Sequence, residues 1–324
     1  MIAPAAHRVL SLRISVTEQC QLRCPYCMPA GGLPETPAAG FLTTDEVLRF
    51  VRSICRYFDV PKVRITGGEP LLRPDILELV RGLAAGGLAD LALTTNAERL
   101  AGMAAGLRQA GLRRVNVHID TLDPARYRRL TGRYRLSQAL AGIDAARAAG
   151  LAPVKLNMVV LRGVNDGEVV AMARWGLERG CEVRFLEMMP IGAAAGRHAE
   201  WFVPSAEVHR RLAAAFDLEP MPVVPGAPSR DVRARDDAGC SGIVGFISPC
   251  SEPFCADCRR LRLTATGRLL GCLARAEGPD VSSLLRAVDS GAEAALVDAV
   301  VKALALKRAD HRFADQRPMA RVGG

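Results

Sequence analysis

The chain has 324 residues, 49% of them hydrophobic, and a mean hydropathy of +0.12. That is enough for a substantial core in one large domain with an appendage. No apolar run reaches the roughly 18 residues that span a bilayer, and the first residues lack a signal-peptide layout, so we expect no membrane. The formal charge is +9, but aromatic residues are only 5% of the chain and no basic tract is interleaved with them. We therefore expect no nucleic-acid partner.

Arginine supplies almost all of the positive charge. Of the 43 basic residues, only Lys62, Lys155, Lys302 and Lys307 are lysines. A compositional bias across the whole chain explains most of this excess. A second explanation is an anionic ligand, because arginine forks match the geometry of phosphate and carboxylate groups.

The first predicted strand, Leu10–Val16, leads into a loop with three cysteines. Cys20, Cys24 and Cys27 have the spacing C-x3-C-x2-C, and the loop holds no fourth Cys or His. Thiolates are the usual ligands of iron–sulfur clusters, and a complete four-iron cluster takes four, so three would leave one iron open. The alternatives are a zinc site, which needs a fourth ligand, and a disulfide with a spare thiol. The chain has ten cysteines, several in CxxC-type clusters, which indicates metal binding in a reducing cytoplasm.

Strands and helices then alternate to about residue 215. The further predicted strands are Lys62–Thr66, Ala89–Thr95, Arg114–Asp120, Val154–Val160 and Glu182–Met188. Between them, Thr43 and Glu46 have the spacing of a capping box at a helix start. Six β–α units without a tight hairpin predict a parallel sheet that curls into a partial barrel. Chemistry in such barrels sits at the C-terminal ends of strands, where the cysteine loop, Thr66–Pro70 and Met188–Pro190 all fall.

The pattern changes after Glu219. A proline-rich linker follows, and we place the boundary between two domains there, with residues 1–225 in the first and residues 226–324 in the second. We predict a small antiparallel layer of three short strands, which are Ile243–Ile247, Arg260–Thr264 and Arg268–Leu273. Two helices are predicted near Val281–Val288 and Ala292–Ala305.

The second part carries another set of cysteines, namely Cys255, Cys258 and Cys272. A structural zinc ion would need a fourth ligand. The residues available for that are Cys240, Cys250 and His311. A second iron–sulfur cluster with three thiolates would again leave one iron open. Two open clusters would each hold a different small molecule.

These motifs resemble two nested families. The cysteine spacing of the first loop, with Tyr26 before the last Cys, resembles the radical S-adenosylmethionine (radical SAM) superfamily. The second cysteine set, with Arg64–Arg73, Arg184–Pro190, Arg260–Thr264 and a terminal Gly-Gly, resembles the GTP 3′,8-cyclase family of molybdenum-cofactor (molybdopterin) biosynthesis. The likeness runs nearly end to end. It implies an α/β fold, an incomplete (β/α)6 TIM-like barrel of the radical SAM type with a smaller C-terminal α+β domain.

The resemblance implies two 4Fe–4S clusters and SAM as cofactors. The first cluster would be held by Cys20, Cys24 and Cys27, and the second by Cys255, Cys258 and Cys272. The SAM pocket would be formed by Tyr26, Gly68, Glu69, His118 and Met189. Gly67-Gly68 has an alternative role as an ordinary strand-to-helix turn. His118 stands where the family commonly has a small hydroxyl residue, and it either donates to the SAM carboxylate or is a core histidine.

GTP would be bound by Arg13, Arg64, Thr95, Lys155, Arg260 and Arg262. Planar forks and one lysine suit a triphosphate. The inward side of a barrel strand is usually apolar, so inward arginines need a buried anion; the alternative is that they face solvent. The family also implies that Gly323 and Gly324 reach into the active site and act in catalysis, whereas chain termini in general are frayed.

Two further departures from the family concern the second set. Arg259 stands where the family usually has Asn, and Cys250 is an additional thiol nearby. As a fourth ligand, Cys250 would close the open iron and with it the substrate site.

The implied reaction begins with reductive cleavage of SAM to methionine and a 5′-deoxyadenosyl radical. The radical takes the hydrogen from ribose C3′ of GTP, and the carbon radical adds to C8, giving 3′,8-cyclo-7,8-dihydro-GTP. The resemblance implies a lyase with a flavodoxin-type reductase as electron donor, cyclic pyranopterin monophosphate synthase downstream, and a homodimer. The rivals are a peptide-maturing two-cluster radical SAM enzyme and a zinc-stabilised basic nucleic-acid module.

Overall fold

The computed structural model describes residues 9–29, 31–32, 37, 40–275, 277–287, 290–307, 313 and 317–322. The strands are β1 (Val9–Ser15), β2 (Asp59–Thr66), β3 (Asp90–Thr95), β4 (Arg114–His118), β5 (Val154–Val160), β6 (Glu182–Glu187), β7 (Asp217–Pro220), β8 (Arg230–Arg235), β9 (Ser241–Ile247), β10 (Arg260–Leu263) and β11 (Leu269–Leu270). The helices are α1 (Thr44–Cys55), α2 (Ile76–Ala85), α3 (Ala104–Gln109), α4 (Pro124–Thr131), α5 (Leu136–Ala148), α6 (Val169–Glu178), α7 (His198–Trp201), α8 (Ser205–Ala213), α9 (Ser282–Arg286), α10 (Ser290–Ala305) and α11 (Met319–Val322). None of the helices in these ranges is long and apolar enough to cross a bilayer.

All eleven strands join one sheet, in the order β11-β10-β1-β2-β3-β4-β5-β6-β9-β8-β7. Strands β1 to β6 are parallel neighbours in chain order, with α1 to α6 distributed among their connections. This is the β–α rhythm predicted from the sequence, and the α/β fold class is confirmed. The capping box at the start of α1 is also present, with Thr43 accepting from the Glu46 amide and Glu46 accepting from the Thr43 amide.

The C-terminal strands extend this sheet at both edges. Strand β9 pairs in parallel with β6, and β10 pairs in parallel with β1. The predicted separate antiparallel layer is therefore wrong, and among the described strands the antiparallel pairs are β11 with β10, β8 with β9 and β7 with β8. The physical reason is that both edges of the β1–β6 sheet carry unpaired backbone groups, which short strands from elsewhere in the chain can satisfy. The proposed domain boundary at residue 225 remains a prediction, while the strands on its two sides share one sheet.

The core lies between the outer face of the sheet and the helices. In β1, Leu10, Leu12 and Ile14 are at most 1% exposed and belong to the same apolar cluster as Phe50 and Ile54 of α1. Side chains alternate between the two faces of a strand. The residues that alternate with these three, Ser11 and Arg13, therefore face the inside of the curved sheet. There a cavity opens at the C-terminal ends of the strands.

Candidate active site

The first cysteine loop follows β1 and packs on an apolar cluster. Leu22, Cys24 and Tyr26 are buried there with Leu130 of α4 and Trp201 of α7. Inside the loop the amides of residues 27 and 28 both donate to the carbonyl of Cys24, at 2.9 Å. The loop thus holds its three free thiols on one side, and all three line the cavity.

The glycine pair after β2 lets two backbone segments touch. The Gly68 amide donates to Thr17 O at 2.8 Å, and the next amide donates to Gln19 O at 2.7 Å. A Cβ on Gly68 would lie 2.3 Å from Gln19 O, and one on Gly67 would lie 2.6 Å from Thr17 O. Both positions require glycine because the start of the cysteine loop occupies that space. This contact explains the pair without a ligand, although Gly68 also lines the cavity.

Glu69 is a buried carboxylate at the same end of the sheet, with 1% exposure. It accepts from the Asn96 amide at 2.8 Å, from the Leu71 amide at 3.0 Å and from Thr95 Oγ1 at 2.8 Å. Burial raises its pKa, and the three donors oppose that effect, so the pKa comes to about 7. A cationic group in the cavity would stabilise the ionised form.

His118 faces the cavity and is not a core histidine. Its Nε2 lies 2.5 Å from Tyr26 Oη and 3.0 Å from Asp120 Oδ2, and the Tyr26 hydroxyl also donates to Asp120. Burial lowers the pKa of His118, but the Asp120 carboxylate outweighs burial and raises it. Asp120 in turn accepts from the Val159 amide at 2.9 Å. His118 is thus fixed from behind by a tyrosine and a carboxylate.

Four cavity arginines, which we call the arginine row, come from adjacent strands. Arg13 lies in register with Arg262 of β10 on one side and with Arg64 of β2 on the other, and Arg260 precedes Arg262 by two residues on the same face. Residues in register on neighbouring strands are about 4.8 Å apart. Burial, and after it the neighbouring guanidinium groups, lower the pKa of Arg64 to about 9 and that of Arg262 to about 10.

Within the described part of the chain, three members of the arginine row lack a neighbouring carboxylate. Among the described residues, no carboxylate lies within 4.0 Å of Arg13, Arg64 or Arg260. The buried Nε atoms of Arg64 and Arg260 have no hydrogen-bond partner. Clustered, sheltered cations are costly unless an anion neutralises them. The geometry therefore fits a polyanionic ligand in the cavity.

The second cysteine set borders the other side of the cavity. Burial raises the pKa of Cys255, and the nearby thiols of Cys272 and Cys258 raise it too. The adjoining Phe254 and Leu273 line the cavity wall. Burial raises the pKa of Cys258, but Arg260 and Lys307 more than offset it and bring the pKa to about 7. Lys307 Nζ lies 3.5 Å from Cys258 Sγ and donates to Cys258 O at 3.1 Å.

The last described helix, α11, also reaches the cavity. Met319 lines the wall, and Arg262 Nη1 donates to Val322 O at 3.4 Å. Arg321 pairs with Glu18, next to the first cysteine loop, at 3.4 Å. Gly323 and Gly324, predicted to act in catalysis, lie outside the described residues.

Two family models match the chain, the Radical SAM superfamily over residues 14–176 and Molybdenum Cofactor Synthesis C over residues 181–313. A GTP 3′,8-cyclase of Moorella thermoacetica is 42% identical over 319 residues, which cover 97% of each chain. A GTP 3′,8-cyclase of Pelotomaculum thermopropionicum is 43% identical over 324 residues, with the same coverage. The chain belongs to the GTP 3′,8-cyclase family. This membership confirms the resemblance inferred from the motifs.

Solved structures support the radical SAM fold of this GTP 3′,8-cyclase family member. Streptococcus suis SuiB bound to S-adenosylmethionine has a TM-score of 0.61 and 15% identity, covering 90% of this chain and 68% of that chain. At this identity the likeness concerns the fold alone. Membership in the radical SAM superfamily implies one 4Fe–4S cluster and SAM.

The first cysteine set fits the 4Fe–4S cluster that the radical SAM superfamily implies. Burial raises the pKa of Cys20 to about 11 and raises those of Cys24 and Cys27 as well, so their thiolates need a metal for stabilisation. No three Cys, His, Asp or Glu side chains in the described ranges converge as they would around one metal ion. A cluster spreads its ligand sulfurs over its corners, which suits three thiols lining one side of a cavity.

Among the other cysteines, Cys250 contacts residues outside the second set. Its Sγ lies 3.6 Å from Met188 O and 3.8 Å from His198 Nε2. Burial and then Glu187 raise its pKa to about 12, with no contribution from another thiol. Cys240 directly precedes β9, whereas Cys250 follows that strand, and the Cys240 thiol lies near Arg174 O. His311 lies outside the described residues.

The structure brings most predicted site residues to one cavity wall. Those lining it are Arg13, Cys20, Cys24, Tyr26, Cys27, Arg64, Gly68, Glu69, Thr95, His118, Met189, Arg260 and Arg262. Lys155 is not among them. It lies at the start of β5, two residues before the cavity residue Asn157, and its ammonium group pairs with Glu182.

Arg184 of β6 is a cavity residue that the sequence interpretation missed as a site residue. It is in register with Asn157 of β5, and its guanidinium group lies 3.7 Å from Glu182 and 3.9 Å from Asp231. A Cβ on Gly245 of the neighbouring strand would lie 3.3 Å from Arg184 Cγ. The available signal was the alternation of β6, in which Arg184 shares a face with Leu186, another wall residue.

Proposed function

We propose that the chain is a GTP 3′,8-cyclase, which converts GTP to 3′,8-cyclo-7,8-dihydro-GTP in the first step of molybdopterin biosynthesis. The observation that carries this proposal is the arginine row. It offers four sheltered guanidinium groups, and among the described residues no carboxylate lies within 4.0 Å of Arg13, Arg64 or Arg260. The row lies between two sets of three cysteines. Family membership at 42–43% identity over nearly the whole chain supports the same reaction.

The first cysteine loop would hold the cluster and SAM together. Cys20, Cys24 and Cys27 supply three thiolates, and an iron without a protein ligand is left for SAM. Bound in this way, the cluster and SAM supply a 5′-deoxyadenosyl radical on one-electron reduction. The protein itself holds SAM in place and keeps water and stray hydrogen donors away.

Two polar groups are suited to the charged ends of SAM. Glu69 presents a carboxylate with a pKa of about 7, which a nearby ammonium group would keep ionised. His118 is held at 2.5 Å from Tyr26 Oη, so its ring can donate to a carboxylate only in a fixed direction. Tyr26, Gly68 and Met189 complete this side of the wall.

The arginine row would bind the triphosphate. Bidentate guanidinium–phosphate contacts are charge-assisted and directional. Thr95 lines the same cavity but already donates to Glu69 at 2.8 Å. We propose that Lys155 acts on GTP through electrostatics from below the wall, since its ammonium group pairs with Glu182.

A second 4Fe–4S cluster is part of the proposal. Cys255, Cys258 and Cys272 would hold it, and the open iron would meet the guanine base. Lys307 supports the Cys258 thiolate at 3.5 Å. Cys250 contacts Met188 and His198 instead, which leaves the iron open for substrate.

The chain end would close the cavity. Val322 O accepts a hydrogen bond from Arg262 at 3.4 Å, so the described part of α11 ends beside the arginine row. We propose that Gly323 and Gly324 contact the bound nucleotide there, because glycine permits a close backbone approach. The flavodoxin-type donor, transfer of product to cyclic pyranopterin monophosphate synthase, the homodimer and the cytoplasmic location remain predictions.

The test is an anaerobic assay of reconstituted protein with SAM, a reductant and GTP. We expect formation of 5′-deoxyadenosine together with the cyclised nucleotide, each dependent on GTP and SAM. Formation of 5′-deoxyadenosine without any nucleotide product would point to a different radical SAM reaction. A colourless protein with about one zinc per site would contradict the proposal altogether.

A further inference from the structure

Five arginines form an exposed patch on the outside of the first cysteine loop. The arginine patch consists of Arg23, Arg128, Arg129, Arg133 and Arg135, all of them exposed. They come from the loop itself, from the end of α4 and from the α4–α5 connection. Tyr134, which is 71% exposed, lies among them with the Arg128 guanidinium 4.2 Å from its ring centroid.

The patch is joined directly to the residues that carry the thiols. Arg133 Nε donates to Gln21 O at 2.9 Å, and Arg23 Nη1 donates to Cys20 O at 2.8 Å. The Arg23 amide donates to Thr131 O at 2.9 Å, so α4 and the loop are pinned together. On the buried side of this helix, Leu130 packs in the same cluster as Cys24.

The charge of the patch is not balanced locally. Within the described ranges, no carboxylate forms an ion pair with any of the five arginines, whereas Arg126 in the same helix pairs with Glu168. The C-terminal end of a helix favours nearby cations, which accounts for Arg128 and Arg129. Helix electrostatics do not explain Arg23 or the two arginines beyond the helix.

We propose that the arginine patch docks an acidic electron-carrier protein that reduces the first cluster, an inference that rests on the proposed function. The reduced carrier loses one electron and the cluster gains it, so no other reactant is needed. Complementary charge steers such encounters and raises association rates by about 10- to 1000-fold. A carrier docked there contacts Arg23, the covalent neighbour of the ligand Cys24.

The patch suits a protein better than a nucleic acid. Sequence-tolerant nucleic-acid surfaces combine positive charge with several aromatic side chains on which bases stack. Here Tyr134 is the one exposed aromatic residue, and Arg128 already covers its ring. A patch against the first cysteine loop brings an electron carrier close to the cluster that it reduces, whereas an oligonucleotide would gain nothing from that position.

The experiment reverses the charge of three patch arginines that make no bond to the loop. The variant carries Arg128→Glu, Arg129→Glu and Arg135→Glu. We measure binding of oxidised flavodoxin, as the acidic carrier, and stopped-flow reduction of the enzyme by flavodoxin hydroquinone. At low salt, both affinity and rate should fall about 10-fold or more. The difference should shrink towards 1 M salt, where the Debye length is about 3 Å.

A matched variant reverses three exposed arginines elsewhere, Arg52→Glu, Arg81→Glu and Arg210→Glu, so its net charge changes equally. It should keep flavodoxin binding and reduction within about twofold of wild type. Photoreduced 5-deazariboflavin, a small uncharged reductant, should reduce both variants at the wild-type rate. Because binding and cluster reduction are both read without GTP, a failed docking is distinguishable from a failed cyclase reaction.

Several results would overturn the proposal. One is unchanged flavodoxin binding in the patch variant; another is an equal loss in the matched variant, which would indicate net charge alone. A parallel loss with 5-deazariboflavin would mean that these arginines hold the cysteine loop. Oligonucleotide binding that the patch variant loses, with flavodoxin transfer intact, would assign the surface to nucleic acid.

Discussion

Replacing Arg64 by methionine should stabilise the nucleotide-free protein and weaken GTP binding at the same time. Burial and neighbouring arginines lower the pKa of Arg64 well below its ordinary value, to about 9. At about 1.4 kcal/mol per pKa unit, the charged side chain destabilises the folded state by up to about 5 kcal/mol. Cavity water screens part of this, so we expect Arg64→Met to raise the free energy of unfolding by about 1–3 kcal/mol.

The pH dependence follows from the direction of the shift. Because the folded-state pKa lies below the unfolded value, the destabilisation is fully present below about pH 9 and is lost as the pH rises from there towards the unfolded pKa. The stability difference between Arg64→Met and wild type should therefore be constant near neutral pH and shrink above pH 9. Anaerobic denaturant unfolding of the reconstituted proteins measures it.

GTP affinity should move in the opposite direction. Loss of one charge-assisted contact in a sheltered site costs about 1.5–3 kcal/mol, which is roughly 10- to 150-fold in Kd by calorimetry. Guanosine, which lacks the triphosphate, should bind Arg64→Met and wild type equally. Lys155→Ala should cost less than Arg64→Met, because Glu182 already pairs with that ammonium group. A variant that is less stable without nucleotide and binds GTP normally would refute the role of the arginine row.

Three other changes test the remaining parts of the site. Cys24→Ala should abolish SAM cleavage and leave about four irons per chain, whereas Cys258→Ala should keep some uncoupled cleavage and lose the cyclised product; normal product from Cys258→Ala would remove the second cluster from the reaction. Cys250→Ser should keep wild-type iron content and GTP affinity, and loss of iron would make it a ligand. Deleting Gly323 and Gly324 should leave iron content, stability and SAM cleavage nearly unchanged while product formation falls about 10²-fold, a drop that full activity of the truncated enzyme would contradict.

The β–α part of the fold was predictable because each strand carries its own pattern. The predicted strand Leu10–Val16 is present as Val9–Ser15, and its alternation separates the buried Leu12 from Arg13. The sequence left open whether Arg13 faces inward or faces solvent, and in the structure it lines the cavity. The pairing of β9 and β10 was not predictable in the same way. The sequence of a short strand does not determine which strand it pairs with. In the structure β9 pairs with β6 and β10 pairs with β1, at the two edges of the β1–β6 sheet.

Within the site, the sequence predicted which residue types lie on which strands. It did not predict how far along each strand the cavity extends. Lys155 and Asn157 share one face of β5, yet only Asn157 reaches the cavity. Arg184 shares a face of β6 with the wall residue Leu186, but this alternation alone does not show which face of the strand is turned towards the cavity. Gly68 was interpreted either as part of the SAM pocket or as an ordinary turn, and the sequence did not show that its missing Cβ makes room for Gln19 O. Contacts of this kind depend on tertiary packing.

GTP held by the arginine row would lose the hydrogen atom at ribose C3′ to the radical that SAM supplies. The most direct measurement uses GTP deuterated at ribose C3′ with reconstituted enzyme, SAM and reductant, followed by mass spectrometry of the 5′-deoxyadenosine. We expect one deuterium to move to 5′-deoxyadenosine, and the transfer to stop when Arg262→Ala removes a member of the row. 5′-Deoxyadenosine that forms in step with a GTP product but carries no deuterium would contradict the account.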